Sequence, residues 1–270
     1  MKLDRLSRDS QGYINYLKNV KKEKRHIFIY QILILIGFLV LWEVLANFHI
    51  IDTFLFSKPS AIYELFVKYM SNGQLLHHVW VSVYETLLGL VIGTVLGILI
   101  AIALWWSKKL SRILDPFLVV LNALPKTALA PIIIVWAGAG IEGIVVTAVT
   151  ISVVVTILSA YQYFINVDEE KVKMLQSFGA SKSQILFKLI LPANIGNLIN
   201  LTKINIGMAW VGVIVGEFLV SRSGIGYLIV YGSQVFKLDL VMMGVFVLAL
   251  CAWIMYEILN IAEKMYNSRR

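Results

Sequence analysis

Six stretches of this chain are apolar over lengths that match a lipid bilayer. They lie near residues 27–48, 79–106, 113–136, 144–165, 195–220 and 240–262, and a helix needs about 20 residues to cross a hydrocarbon core of ~30 Å. At these lengths the runs read as helices, so the expected fold is an all-α membrane protein with six transmembrane helices. The balance of side chains agrees, with 59% hydrophobic and only 15% charged over 270 residues. The first run is too long, and too far from any small-residue cleavage site, for a removable signal peptide. Cys251 is the only cysteine, which excludes an intrachain disulfide.

The formal charge of +8 raises the question of nucleic acid, and its distribution answers it. Eighteen Lys and Arg fall on one side of the six runs: in the N-terminal arm, after the second and fourth runs, and in the tail. Lys58, Lys68, Arg222 and Lys237 are on the other. Such asymmetry orients a membrane protein, with both termini and the loop after the fourth run in the cytoplasm. The basic excess is topology, and no nucleic-acid partner is expected. Residues 1–26 form a basic arm carrying Leu3, Leu6, Tyr13, Ile14, Tyr16 and Leu17. It is either an amphipathic helix on the anionic membrane lipid or a partly ordered tail. Residues 27–270 then make one membrane domain without a clear internal repeat.

Between the fourth and fifth runs lies a long polar segment, residues 167–192. Connections beyond about 12–15 residues are uncommon unless functional or disordered. Here Met174, Leu175, Phe178, Ile185, Leu186 and Leu189 recur at three- and four-residue spacing, interrupted by Gly179-Ala180-Ser181. The pattern predicts two short amphipathic helices meeting at a glycine turn, a folded docking elbow. Elsewhere, Ser57-Lys58-Pro59-Ser60 predicts a helix start with Pro59 at the first helical position. Gly89, Gly93 and Gly97 fall on one face of the second run, and Gly212 and Gly216, with Gly207 nearby, on the fifth. That spacing lets helix backbones approach closely. Pro125 and Pro131 interrupt the third run, and Ser221 to Tyr227 predicts a tight turn before a short re-entrant or surface helix.

Ionisable groups at membrane depth cost at least ~2.5–3.5 kcal/mol each and are functional candidates. They are Glu43, Glu85, Lys126, Lys203, Glu217 and Glu257. Glu43, Lys203 and Glu257 lie near run ends, where a structural role suffices. Lys126, Asn205 and Glu217 are the candidates for a translocation pathway; the competing reading for Lys126 and Glu217 is a structural ion pair. Asn194, Asn197, Asn200 and Asn205 either line a passage or bond neighbouring helices. The chain carries no GxxxxGK[ST] phosphate loop, no His/Cys/Asp cluster at metal-ligand spacing and no recognisable nucleophile with a base. No catalysis, metal or cofactor is expected in this chain.

At the elbow the sequence resembles the permease subunits of bacterial ABC importers. Their signature is a Glu-Ala-Ala-like triplet before a glycine, then nine residues, then an aliphatic residue, any residue, and Leu-Pro. Gly179 is followed in that register by Leu189-Ile190-Leu191-Pro192, whereas the triplet position reads Lys173-Met174-Leu175, with lysine in place of the acidic residue. Glu169 or Glu170 stands one turn earlier. Similar blocks extend the resemblance over residues 57–262: SKPSAI, LDPFLVVLNALPKTALAPIIIVWAG and GVIVGEFLVSRSGIGYLIVYG. They resemble the branch that imports nitrate, taurine, alkanesulfonates and thiamine-precursor or riboflavin-type heterocycles.

The resemblance implies a multi-pass protein of the bacterial inner membrane that moves a small anionic or heterocyclic solute by alternating access. It implies a second permease chain, forming a homodimer, cytoplasmic ABC ATPase subunits that hold the ATP and Mg, and an extracytoplasmic substrate-binding protein. The ATPase contact would fall on Glu170, Lys173, Met174, Leu175, Gln176, Ser177, Phe178, Gly179, Ala180 and Ser181. Two other classes compete: an ion-coupled secondary transporter using Glu217, Glu85 or Lys126, and a membrane scaffold that moves nothing.

Overall fold

A computed structural model of the chain describes the backbone of residues 2–267 and the side chains of residues 12–265. The side chains of Leu3 and Leu6, and of the arm's first basic residues, lie outside the described residues, as do Arg269 and Arg270. Among the described residues every regular element is helical. The chain forms two compact units, residues 1–64 and 65–270.

In the first unit, α1 (Lys2–Asn47) joins the basic arm to the first apolar run without a break. At 1.5 Å per residue it is about 70 Å long, and its apolar half is largely exposed within this chain. A short α2 (Thr53–Phe56) follows, capped by the Asp52 side chain. α3 (Pro59–Ser71) begins on Pro59. The Glu43 carboxylate accepts from Ser60 N at 3.0 Å and from Ser60 Oγ at 2.9 Å, satisfying an N–H that the first turn of α3 leaves without an intrahelical acceptor.

The second unit is built on α4 (Gln74–Trp106), α7 (Ile141–Ile165) and α10 (Leu191–Val220), with α7 in the middle. Side-chain size sets their spacing. A Cβ at Gly89 would stand 2.7 Å from Ala148 Cβ, one at Gly93 would strike Ser152 Oγ, and one at Gly97 would lie 2.5 Å from Thr156 Cβ. Gly212 faces the backbone of Ala148, and Gly216 faces Ile144 Cα at 3.0 Å. The polar residues of α7 do not obstruct this approach, because they are satisfied within the helix. Thr147 Oγ1 donates to Gly143 O at 2.8 Å, Ser152 Oγ to Ala148 O at 3.0 Å, and Thr156 Oγ1 to Ser152 O at 2.8 Å. Gly207, by contrast, meets nothing within 4 Å and is not a packing position.

These contacts also fix chain direction. Residues 89, 93 and 97 of α4 ascend against 148, 152 and 156 of α7, so the two helices are parallel. Positions 212 and 216 of α10 face 148 and 144, so α10 is antiparallel. The chain must therefore travel from one end of α4 to the other between residues 107 and 140. It does so by a broken path, interrupted within the run over 113–136 as its prolines lead one to expect. α5 (Lys108–Ala123) is followed by a 3₁₀ turn (Lys126–Leu129) and α6 (Ala130–Ala137), with an 87° bend between the two halves. Pro125 imposes the break. It disfavours helical backbone at the preceding residue, and Leu124 is extended at φ −63°, ψ 137°.

Among the described residues five helices are thus long and apolar enough to cross a membrane, and the bent pair makes a sixth crossing if counted as one span. The remaining helices are α8 (Glu169–Ser177) and α9 (Lys182–Ile185), which lie between α7 and α10, and α11 (Ile225–Gln234) and α12 (Leu238–Asn267), which follow α10. Lys203 ties α10 to α12 through Glu263, Asn260 and the ring of Tyr256.

Substituting Gly212 by Ala places a methyl group on the Ala148 backbone and is expected to cost about 1–3 kcal/mol. Gly207→Ala meets open space and should be neutral or stabilising by up to ~1 kcal/mol. Thermal unfolding of the detergent-solubilised chain separates the two; equal midpoints would show that the α7–α10 contact is not tight.

Candidate functional site

The elbow is closed by local hydrogen bonds. Asp168 caps α8 by accepting from Glu170 N at 3.0 Å. At the other end, Gly179 N donates to Gln176 O at 2.9 Å and Ala180 N to Leu175 O at 3.0 Å. This paired arrangement needs a left-handed residue just past the helix, and Gly179 supplies it at φ +76°. Two residues later α9 starts on a capping box: Ser181 Oγ accepts from Gln184 N at 3.3 Å, while Gln184 Oε1 accepts from Ser181 N at 2.8 Å. Three consecutive devices leave the turn little freedom.

Burial divides the elbow into two faces. Val172, Leu175 and Ala180 pack on the cluster of Ala101, Ala160, Phe164, Ile185 and Leu201, which pins α8 to the ends of α4, α7 and α10. Met174 and Phe178, one turn apart, point away, and Phe178 is 80% exposed. Lys173 is exposed and pairs with Glu169 at 3.1 Å, so the lysine at the triplet position has its counter-charge inside α8. Glu170, Gln176 and Ser177 are also exposed.

The second half of the elbow does not end before the fifth span. Lys182–Val220 is one continuous helical rod of 39 residues. Pro192 stands in the first turn of α10, and a π turn, Leu186–Ile190, leads into it. A proline ring within an α-helix clashes with the carbonyl four residues back, and a wider turn before it relieves that clash. Elbow and span are therefore mechanically joined.

At the opposite end of the bundle, the pathway candidates are differently placed. Glu217 is 1% exposed. Its Oε1 accepts from Ser82 Oγ at 2.5 Å, and its Oε2 from Gly226 N at 2.6 Å and Tyr227 N at 3.3 Å. It thus caps α11 with a buried carboxylate, and the lack of a Cβ at Gly226 is what lets it come so near: one would stand 2.8 Å from Oε2. Ser82 Oγ also receives Ile225 N at 2.7 Å, and His78 Nδ1 receives Gly224 N at 3.0 Å. Glu85, one turn along α4 from Ser82, is likewise buried.

No ion pair joins Glu217 to Lys126. Lys126 sits at the bend after α5, its Nζ donating to Asn122 O at 3.0 Å. Asn205 is fully buried, and its Nδ2 donates to Thr94 and Thr156 Oγ1 at 2.9 Å each. It ties α10 to α4 and α7. The sequence reading missed Ser82 and His78. The available signal was the face shared by Ser82, Glu85, Thr86 and Gly89, at helical spacing. Among the described residues no three His, Cys, Asp or Glu side chains gather as a metal site.

Residues 93–270 match the family of binding-protein-dependent transport system inner membrane components. A protein of Haemophilus influenzae, named as a probable ABC transporter permease, is 27% identical over 83% of this chain and 91% of its own length. The formylaminopyrimidine transport permease protein of Halalkalibacterium halodurans is 26% identical over 70% of this chain and 75% of its own. Among solved structures, an inward-facing MetNI methionine ABC transporter chain superposes with a TM-score of 0.61 at 17% identity. It covers 72% of this chain and 94% of that one, which establishes a shared fold. The chain belongs to the family of inner-membrane components of binding-protein-dependent transport systems.

Glu217→Gln removes one of the charge-assisted acceptors that hold the start of α11 and is expected to lower stability by about 1–3 kcal/mol while leaving membrane insertion intact. The unfolding midpoint of the purified variant checks this; an unchanged midpoint would show that α11 is held by packing alone.

Proposed function

We propose that this inner-membrane component is the permease subunit of an ABC importer, and that the elbow is where a separate ATPase docks and drives it. The single observation that carries the docking role is Met174 and Phe178, exposed and apolar on a helix that is otherwise anchored. An 80% exposed phenylalanine on a rigid, capped helix is a knob without a socket in this chain. A cleft in a partner would bury it. Closure of that partner would move α8 and α9, and the continuous helix from Lys182 to Val220 would carry the displacement into the membrane.

The chain itself performs no catalysis, and ATP with its Mg belongs to the ATPase. Two copies of the permease form the pathway as a homodimer, an extracytoplasmic binding protein delivers the solute, and both termini and the elbow face the cytoplasm. The Lys and Arg asymmetry supports that orientation. The solute is small and either heterocyclic, as the formylaminopyrimidine relative suggests, or anionic, for which Lys126 near the bend is the supporting charge. The ion-coupled alternative is less well supported. Glu217 is buried and holds Ser82 and the start of α11. A scaffold that moves nothing leaves the helical joint between elbow and span without a purpose.

Affinity purification of the tagged chain from mild-detergent membranes should recover a phosphate-loop ATPase at one to one, and Phe178→Asp should abolish its recovery while the permease still inserts. A chain that purifies alone, in both forms, would overturn the docking role. In transport-competent vesicles, Gly179→Leu forces a branched side chain into left-handed backbone at a cost of about 1–2 kcal/mol and should uncouple uptake from ATP hydrolysis. Gly179→Asn, which tolerates that conformation, should retain most uptake; equal activity of Leu and Asn variants would show that the turn does not transmit force.

A further inference from the structure

The ends of α4 and α7 and the inner side of α8 enclose a cavity of about 690 Å³, within the ~300–1,000 Å³ typical of small-molecule sites. Its inner wall is apolar, formed by Leu104, Phe164, Val172 and Ile190. Its charged lining consists of Lys108, Lys173, Lys182 and Glu169. Glu169 is already engaged with Lys173 at 3.1 Å. Lys108 and Lys182 are left as cations without a carboxylate partner.

Lys182 is held in place. Its Nζ donates to the Trp106 carbonyl and lies 5.7 Å and 5.6 Å from the ring centroids of Trp105 and Trp106. An ammonium carries three donors, so this anchoring fixes the charge without using up its capacity. Trp105 lines the same cavity. Tryptophans at the end of an apolar span sit at the headgroup level of a bilayer. An apolar wall, a fixed cation and a second free cation at that depth describe the two ends of one ligand: an anionic head and a hydrocarbon stem.

We propose that this cavity binds an anionic phospholipid, its phosphodiester between Lys108 and Lys182 and its acyl stem along Leu104 and Phe164. The bound lipid touches α4, α7 and α8 together, and so braces the elbow against the bundle. Free inorganic phosphate offers the same charge but nothing for the apolar wall, and is the poorer ligand.

Native mass spectrometry of the full-length chain in detergent, titrated separately with phosphatidylglycerol, phosphatidylcholine and inorganic phosphate, tests this. Phosphatidylglycerol should be retained in preference to phosphatidylcholine. Lys108→Glu should weaken phosphatidylglycerol retention by about tenfold or more without altering the weak phosphatidylcholine binding. The substitution is mild for folding, because Lys108 is exposed and an acidic residue suits the first turn of α5. Lys237→Glu, at the far end of the bundle, should leave retention unchanged. Equal retention of the two lipids, an unaffected Lys108→Glu variant, or displacement of phosphatidylglycerol by millimolar inorganic phosphate would each overturn the assignment.

Discussion

Everything in the second unit depends on how closely α7 can be approached from two sides. In lipid there is no hydrophobic gain in bringing two apolar helices together, so association rests on contact and on interhelical hydrogen bonds. The glycines of α4 and α10 remove the side chains that would hold the backbones apart. α7 answers with Ala148, Ser152 and Thr156, small residues of which the two hydroxyls donate their protons within their own helix. Once the three backbones are that close, Asn205 can reach Thr94 and Thr156 together, a bond that a looser bundle would leave unmade. The polar contact is thus a consequence of the packing and then a lock upon it.

The elbow borrows its rigidity from the same core. α8 is only nine residues long, too short to be a stable helix in isolation. Its order comes from two caps and from Val172 and Leu175 packing on the bundle. Phe178 and Met174 are left outside because the helix has only one face to bury. Exposed apolar area on a short ordered element is costly in a soluble setting and becomes useful when a partner covers it.

What the sequence made legible was mostly local. Asp168, Gly179 and Ser181 announce a helix start, a left-handed turn and a second start within fourteen residues, and the elbow follows that punctuation. Glycine spacing marked the packing faces of α4 and α10, and Gly207, five residues before Gly212 and off that spacing, makes no such contact. The Ser82 partner of Glu217 was out of reach because it lies 135 residues away, and no periodicity encodes that distance. Proline at 125 signalled an interruption, but whether such a break tilts a span or turns it by 87° depends on what α7 leaves room for. The π turn before Pro192 was likewise invisible: the rule that a proline opens a helix and the rule that a wider turn accommodates one inside it predict the same residue.

The rod from Lys182 to Val220 places these features in mechanical series. Its first turn is the exit of the elbow, its middle carries the Asn205 lock, and its last turns carry Glu217 on the start of α11. At 1.5 Å per residue those ends stand more than about 50 Å apart. A helix over that length bends most readily where its ladder is irregular, and the irregularity here is the π turn at Leu186–Ile190, on the elbow side of the lock. Displacement of the elbow can therefore be absorbed before Asn205 or passed through it, and the Asn205 bonds to α4 and α7 decide which. If they hold, the three helices move as one body and the buried carboxylate at the far end keeps its grip on α11. If they part, α10 moves alone, and Glu217 must either drag α11 or release it.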